Sequence, residues 1–454
     1  MTSQLFRTGR GTGRRSTRVP PVAGPTLITR ATAATRPALP HYPFQPLPPP
    51  NGPAPFRYDL SKLLSAADIK TIQDSGVMVC HTVGDTGDYR PGSQRDLVAR
   101  LMKEDADNQP DGQKPAFFYH LGDVVYFAGD IDKYGDNFYA TYEDYPSFIV
   151  AIPGNHDCQP DDPQDGPVDP NKYPLDGFVQ NFMSKNPAQL GSNKTGSNRT
   201  QMDLPNVFWT FTTPLATFIG LFSNVGETEG EIHQDQIDWF KGELTTADPN
   251  LALVVAVHHP PDSGDVEHTG STAVAKVLFD SFQATRRYPN LILSGHVHNY
   301  QRFTYEVQGP NGQLQIPLVV AGAGGYKTLR RLQKINGQYP STPLTIGGGL
   351  SLEGYDHLNF GFLRLEISKS QIVGTYLSSP AALPGGEPPT GQVADGFTVD
   401  LERNTVQTNS TQRGAAASGG ARGRKQAKKA GKAAKTKKTA KRSPAKRAKK
   451  TRRR

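Results

Sequence analysis

Five short apolar runs in this 454-residue chain each break off at a cluster of glycine with aspartate, asparagine or histidine, and that recurrence constrains the fold more than any bulk property. Val77–Val83 runs into Gly84-Asp85-Thr86-Gly87, and Ala116–Leu121 into Gly122-Asp123-Val124-Val125-Tyr126. Phe148–Ile152 leads to Gly154-Asn155-His156-Asp157, Leu251–Val257 to His258-His259, and Leu291–Leu293 to Ser294-Gly295-His296-Val297-His298. Runs this short and apolar predict buried strands. Helical patterns fit Ser93–Lys103, His233–Leu244 and Thr272–Ala284; in the second, Ile237, Phe240 and Leu244 share a face. Strands alternating with helices predict an α/β fold of layered sheets and helices. Val207–Phe211 and Leu215–Phe222 read as a neighbouring pair. Leu318–Ala321, Phe360–Ile367 and Ile372–Leu377 predict an antiparallel finish, with a turn at Lys369-Ser370.

In open α/β sheets, ligands bind beyond the carboxyl ends of the strands, so the five clusters are placed where they can converge. Glycine lets the backbone bend sharply there and leaves room for a metal or substrate. Asp, Asn, His and Tyr supply hard oxygen and imidazole nitrogen donors, suited to Fe, Zn or Mn rather than to soft metals. In Gly295-His296-Val297-His298, both imidazoles fall on one side of an extended segment. Taken singly, each cluster has a plain structural explanation. Gly84-Asp-Thr-Gly is a turn, Gly154-Asn-His-Asp a hydrogen-bonded loop, and His258-His259 one core and one exposed histidine. Five of them, each at a strand end, predict a metal site.

Charge divides the chain into three parts. Residues 1–50 contain seven Arg and no acid, and residues 413–454 contain nineteen Lys or Arg and no acid. All 42 acidic residues therefore lie in 51–412, where only 25 of the 51 basic ones remain. The formal charge of +9 describes the tails, not the body. Residues 1–56 are basic and then proline-rich, a composition that makes an extended linker and buries no core. From about residue 413 the Lys/Arg/Ala composition predicts disorder. The domain boundaries expected are therefore 1–56, a catalytic domain over 57–400, and a basic tail over 401–454. Two cysteines, Cys80 and Cys158, are too few for a disulfide framework and fit a reduced compartment. No run of eighteen apolar residues occurs, so no membrane span is expected. The Arg-rich start has no apolar stretch after Arg14-Arg15, so no secretory signal is read and a cytoplasmic location is expected.

Together the five motifs resemble the calcineurin-like metallophosphoesterase superfamily and, within it, the purple acid phosphatase branch. Most of the superfamily begins its first motif with Asp-x-His; here it is Asp85-Thr86-Gly87, and Tyr126 of Gly122-Asp-x-x-Tyr compensates for the missing imidazole. The trailing Asn299-Tyr300-Gln301-Arg302 is also similar, and the resemblance covers roughly residues 75–378. It implies an αββα fold, a β-sandwich flanked by helices. It also implies a dinuclear centre with Asp85, Asp123, Tyr126 and His298 at one metal and Asp123, Asn155, His258 and His296 at the other. Fe(III) is implied at the tyrosine site and Fe(II), Zn or Mn at the second. The implied reaction is acid-phosphatase-like hydrolysis of phosphate monoesters by metal-bound hydroxide. His156 would protonate or position the leaving group, Asp157 would orient its imidazole, and His268 would contact the substrate. The same metal pair can serve a phosphodiesterase or nucleotide pyrophosphatase. The sequence also departs from the branch: residues 1–56 cannot form the N-terminal β-sandwich of its plant members.

A separate expectation attaches to the tail. Lys428-Lys429, Lys437-Lys438 and Ser443-Pro-Ala-Lys-Arg resemble the tails of linker histones and of some bacterial nucleoid proteins. A dense run of cations releases counterions when it neutralises phosphates, which predicts salt-dependent binding of nucleic acid or another polyanion. In its sharper form this makes the protein a polyanion binder with a vestigial enzyme domain.

Overall fold

The computed structural model of the chain describes residues 47–87, 90, 93–158, 175–189, 199–223, 230–383, 386 and 389–409. The basic tail from residue 413, residues 1–46 and much of the insert Gln159–Met202 lie outside the described residues.

Among the described residues, sixteen strands form two sheets. The first runs in the order β1 (Arg57–Asp59), β5 (Trp209–Thr212), β6 (Ala216–Leu221), β7 (Ala252–Val257), β8 (Leu291–Ser294), β10 (Gly312–Ala321), β9 (Tyr300–Gly309), β12 (Leu350–Asp356) and β11 (Leu344–Gly347). The second is β16 (Thr405–Thr408), β15 (Gln392–Asp400), β14 (Gln371–Ser379), β13 (Phe360–Ser368), β2 (Val77–Val83), β3 (Pro115–His120) and β4 (Phe148–Ala151). In each sheet the strands that precede the metal-type motifs are parallel neighbours: β2, β3 and β4 in one, β7 and β8 in the other. Parallel strands in register end together, which brings their carboxyl-terminal loops to one place.

The apolar runs are continuous because both faces of the strands are covered. Along β7, Ala252, Val254 and Ala256 face the core between the sheets. Leu253, Val255 and Val257 alternate with them and pack with Phe240 and Leu244 of α4 (Gln234–Thr246) and Leu278 and Phe282 of α5 (Thr272–Thr285). Between the sheets, the Tyr119 ring of β3 stacks 5.8 Å from Trp209 and 5.5 Å from Phe218, both in the first sheet. Each fully buried aromatic of this size contributes about 1.5–3 kcal/mol through burial. On the far side of the second sheet, α2 (Arg95–Asn108) supplies Asp105, which accepts from Nε2 of buried His81 in β2 at 2.9 Å.

The expected helices and strands are present, most with ends shifted by two residues or fewer, but α2 runs to Asn108 and β10 begins at Gly312. β13 and β14 form the expected antiparallel pair, whereas β10 lies in the other sheet, parallel to β8 and antiparallel to β9. Sequence reading did not anticipate α1 (Ala66–Ser75), which opens on a Ser65–Asp68 capping box and stops at Gly76 in the left-handed region. It also missed α3 (Asp176–Phe182) within the insert, and strands β1, β9, β11, β12, β15 and β16. Both cysteines are free thiols. No helix among the described residues is long and apolar enough to cross a membrane.

Candidate metal centre

All ten residues singled out from the sequence meet at the carboxyl ends of the parallel strands. Asp85 follows β2; Asp123 and Tyr126 follow β3; Asn155, His156 and Asp157 follow β4; His258 follows β7; His296 and His298 follow β8. His268 comes from the loop before α5. The turns are tight enough that Asp85, Asp123 and His296 adopt positive φ angles of 56°, 56° and 67°. Left-handed backbone at a residue other than glycine costs on the order of 1 kcal/mol and persists where surrounding contacts hold it. Glycine is required beside them: a Cβ on Gly154 would lie 2.2 Å from Asp123 Oδ1, and one on Gly122 would lie 2.7 Å from His258 Nδ1.

Asp123 sits at the middle of the cluster with its two oxygens facing different neighbours. Oδ2 accepts from the Tyr126 hydroxyl at 2.7 Å, while Oδ1 lies 3.4 Å from His258 Nε2. On the Tyr126 side, the same hydroxyl is 3.1 Å from Asp85 Oδ1 and 3.2 Å from His298 Nε2. On the His258 side, the Asn155 amide oxygen lies 3.1 Å from His258 Nε2 and 2.9 Å from His296 Nδ1. Ligand atoms of Asp85, Asp123 and His258 all fall within 4.8 Å of one another.

Backbone carbonyls fix the imidazole protons, since a carbonyl can only accept. His258 Nδ1 donates to Leu121 at 2.7 Å, His298 Nδ1 to Thr328 at 3.2 Å and His156 Nδ1 to Phe127 at 2.7 Å. His258 and His298 then turn Nε2 into the cluster, the arrangement in which an imidazole, once neutral, binds a metal. The centre is therefore rich in acceptor atoms and poor in donors, the chemistry expected of a cation site. Without a cation, burial and the Asp123 charge hold Asp85 well above the usual carboxylate range, although His258 opposes this. Burial also pushes His296 and His298 down, so both are neutral. Burial works against charge on Asp123 too, but His258 and His156 hold that carboxyl below its ordinary value. Against its own burial, the Asp123 carboxylate raises His258 to about 9. Burial beside the two aspartates keeps the Tyr126 phenol protonated.

One expected role is corrected. Asp157 does not orient the His156 imidazole, whose Nδ1 is held by the Phe127 carbonyl. Its buried carboxylate instead accepts from the backbone N–H groups of Gly154 at 2.8 Å, Asp123 at 2.9 Å and Val124 at 3.1 Å. Three convergent N–H donors are a stronger claim on a carboxylate than one imidazole, so Asp157 ties the β4 loop to the β3 loop.

His268 reaches the cluster through a second loop. Its Nδ1 is 3.3 Å from His296 Nε2, and its backbone N–H is held by Asp265 Oδ1 at 2.7 Å. Sequence reading missed Tyr326 and gave His259 no role, and both wall the site. Tyr326 places its ring 4.3 Å from Tyr126 and 4.6 Å from His298. Buried His259 packs 4.2 Å from His296 with Nδ1 on the Ser223 hydroxyl at 2.7 Å. Ala321-Gly-Ala-Gly-Gly-Tyr326 is a further glycine-rich break at the end of an apolar run, and that was the available signal for Tyr326.

Residues 80–300 match the family model described as calcineurin-like phosphoesterase. No curated protein matches the chain. Among solved structures, a purple acid phosphatase from yellow lupin (Lupinus luteus) seeds aligns at 18% identity and a TM-score of 0.48, over 71% of this chain and 54% of that one. The chain thus spans about half the length of the lupin protein. PhoD aligns at 12% identity and a TM-score of 0.48, over 73% and 71% of the two chains. A dimetal phosphatase from Danio rerio aligns at 9% identity and a TM-score of 0.38, over 70% and 98%. The matched span encloses every strand-end motif from Asp85 to His298, and over those residues the chain is similar to calcineurin-like phosphoesterases.

Proposed function

We propose that this protein hydrolyses phosphate monoesters at a dinuclear metal centre, in the manner of a purple acid phosphatase. The observation that carries the reading is the placing of Asp123 between two donor groups, one oxygen toward Tyr126 and the other toward His258. In that reading Asp85, Asp123, Tyr126 and His298 hold one metal, and Asp123, Asn155, His258 and His296 hold the other. Phenolate and carboxylate donors favour Fe(III) at the first; Fe(II), Zn or Mn suits the second. When bound, such a pair supplies Lewis acidity and a nucleophile at neutral pH.

The chain's own residues do the rest. His156 carries its proton on Nδ1 toward Phe127 and turns Nε2 to the half-exposed side of the cluster, where it can serve the leaving-group oxygen. His268, half-buried beside His296, is placed to contact a non-bridging phosphate oxygen. Phe127 packs 4.7 Å from the His156 ring, and Tyr326 packs beside Tyr126 and His298, so the two aromatics line the cluster. We take 57–400, with the closing strand β16, as the catalytic unit, and the basic tail as an accessory that binds nucleic acid or another polyanion.

The test is steady-state hydrolysis of p-nitrophenyl phosphate and bis(p-nitrophenyl) phosphate by protein loaded with iron and zinc or manganese, with Asp123→Asn alongside. Bound metal is counted by elemental analysis. Monoester turnover at least about a hundredfold above the variant, with two metals per chain in the unmodified protein only, is the expected result. Preference for the diester would move the assignment to a phosphodiesterase. No turnover under any metal loading would refute the catalytic reading.

A further inference from the structure

Between Glu306 and Glu353 the chain has no acidic residue, although residues 51–412 as a whole are strongly acidic. The four basic residues of that stretch, Lys327, Arg330, Arg331 and Lys334, fall within eight positions of one another. They lie on the loop that begins at Tyr326, and this loop is fastened to the candidate metal centre at several points. Tyr326 donates its backbone N–H to the Asp85 carbonyl at 3.1 Å, and Arg330 donates its own to the His298 carbonyl at 2.9 Å. His298 Nδ1 returns a hydrogen bond to Thr328 at 3.2 Å, and the Asn299 amide donates to the Arg330 carbonyl at 3.1 Å. The opposite edge of the loop is joined to the segment carrying His268. Gln333 donates to the Gly264 carbonyl at 2.7 Å, Asp265 and Leu332 form a bridge, and Arg330 pairs with Glu267.

The loop is therefore a wall of the site. Its cations are within the length of one long side chain of groups that hold His298 and His268 in place. Arg330 is engaged with Glu267 and sets the spacing of the two loops, while Lys334 lies over the Tyr339 ring at 5.1 Å. Lys327 and Arg331 are exposed, and among the described residues neither makes an ion pair. A solvated patch of cations needs no such fastening. A patch whose backbone is fastened to two imidazole-bearing loops keeps positive charge beside the segments that carry His298 and His268.

We propose that Lys327 and Arg331 form a second anion subsite, so that the ester this site takes carries another phosphate besides the one hydrolysed. This rests on the phosphoesterase reading above and adds the substrate class to it. The second phosphate is held by charge rather than by base recognition, since the two exposed side chains are cations that make no ion pair among the described residues.

The experiment compares kcat/KM of the full-length, metal-loaded protein on two matched pairs. One pair is adenosine 3′,5′-bisphosphate against adenosine 5′-monophosphate; the other is fructose 1,6-bisphosphate against fructose 6-phosphate. Two exposed cation contacts predict a preference for the bisphosphate of roughly five- to tenfold in both pairs. The preference should shrink toward one at about 1 M salt, where the screening length falls to about 3 Å. Lys327→Ala with Arg331→Ala should bring the ratio near one, and Lys327→Glu with Arg331→Glu should bring it below one. A ratio near one in the unmodified protein, or a ratio that the substitutions leave unchanged, overturns the proposal. So does a preference confined to one pair, because a charge contact to a second phosphate should act in both. If the unmodified protein hydrolyses none of the four, calorimetry on the same protein decides separately. Tighter binding of both bisphosphates that the alanine pair abolishes keeps the subsite and overturns the phosphoesterase reading, and equal binding overturns the subsite.

Discussion

Three residues with left-handed backbone, Asp85, Asp123 and His296, supply candidate ligands from three different turns. What holds such turns in register is visible at Asp157. Its carboxylate is buried, and burial beside the Asp123 charge raises it to about 7 even with three N–H donors upon it. Asp157→Asn places an amide N–H₂ against backbone donors that need an acceptor. A hydrogen bond to a charged group contributes about 1.5–3 kcal/mol, so the variant should be about 2–3 kcal/mol less stable in urea titration. If Asp157 positions the Asp123 turn, bound metal measured by calorimetry should also weaken by about 10- to 100-fold. Unaltered metal affinity with lowered stability would leave Asp157 a purely structural tie. The residue types at the site could be read from the sequence because each motif is contiguous. The role of Asp157 could not, because two of its three partners are backbone N–H groups in a loop more than thirty residues away.

The elements that matter most are the two that join the sheets near the site. Buried Arg302 of β9 donates through Nε to Asp395 Oδ2 at 2.7 Å and through Nη2 to Oδ1 at 3.1 Å, with Asp395 on β15 of the other sheet. The Tyr300 hydroxyl donates to the same carboxylate at 2.8 Å, and its ring stacks 3.9 Å from Tyr376 of β14. Asn299-Tyr300-Gln301-Arg302 thus leads from the end of the site to a clamp between sheets. Removing one partner of a buried ion pair leaves an uncompensated charge, which costs about 3–5 kcal/mol. Asp395→Ala should lower stability by that amount in chemical denaturation, and Arg302→Leu with Asp395→Leu should recover most of it. A loss below about 1 kcal/mol in the single variant would mean that the clamp is solvated. β7 and β8 were legible because strands covered on both faces are apolar throughout. β15 and β16 were not, because each is half-exposed and its polar positions read as loop.

Across the whole molecule, charge is segregated by sequence: nineteen basic residues and no acid lie in 413–454, beside a body that holds every acidic residue. If the tail is a polyanion contact, full-length protein should bind duplex DNA with log K falling linearly in log salt, with a slope of about −0.9 for each phosphate neutralised. Deleting 413–454 should abolish that binding in a filter or fluorescence-anisotropy titration and leave the turnover of small esters intact. DNA binding that survives the deletion would place the contact elsewhere. By itself the sequence determined the layered α/β architecture and the donor residues, because apolar runs of strand length and short glycine-bounded motifs are local signals. Only the tertiary structure decided which donors share a partner, that Asp123 faces two groups, that Asp157 serves the backbone, and that Tyr326 and its basic loop wall the site. Most of those facts depend on contacts between residues about 30 to more than 200 positions apart, and such pairings are set by how the two sheets end together.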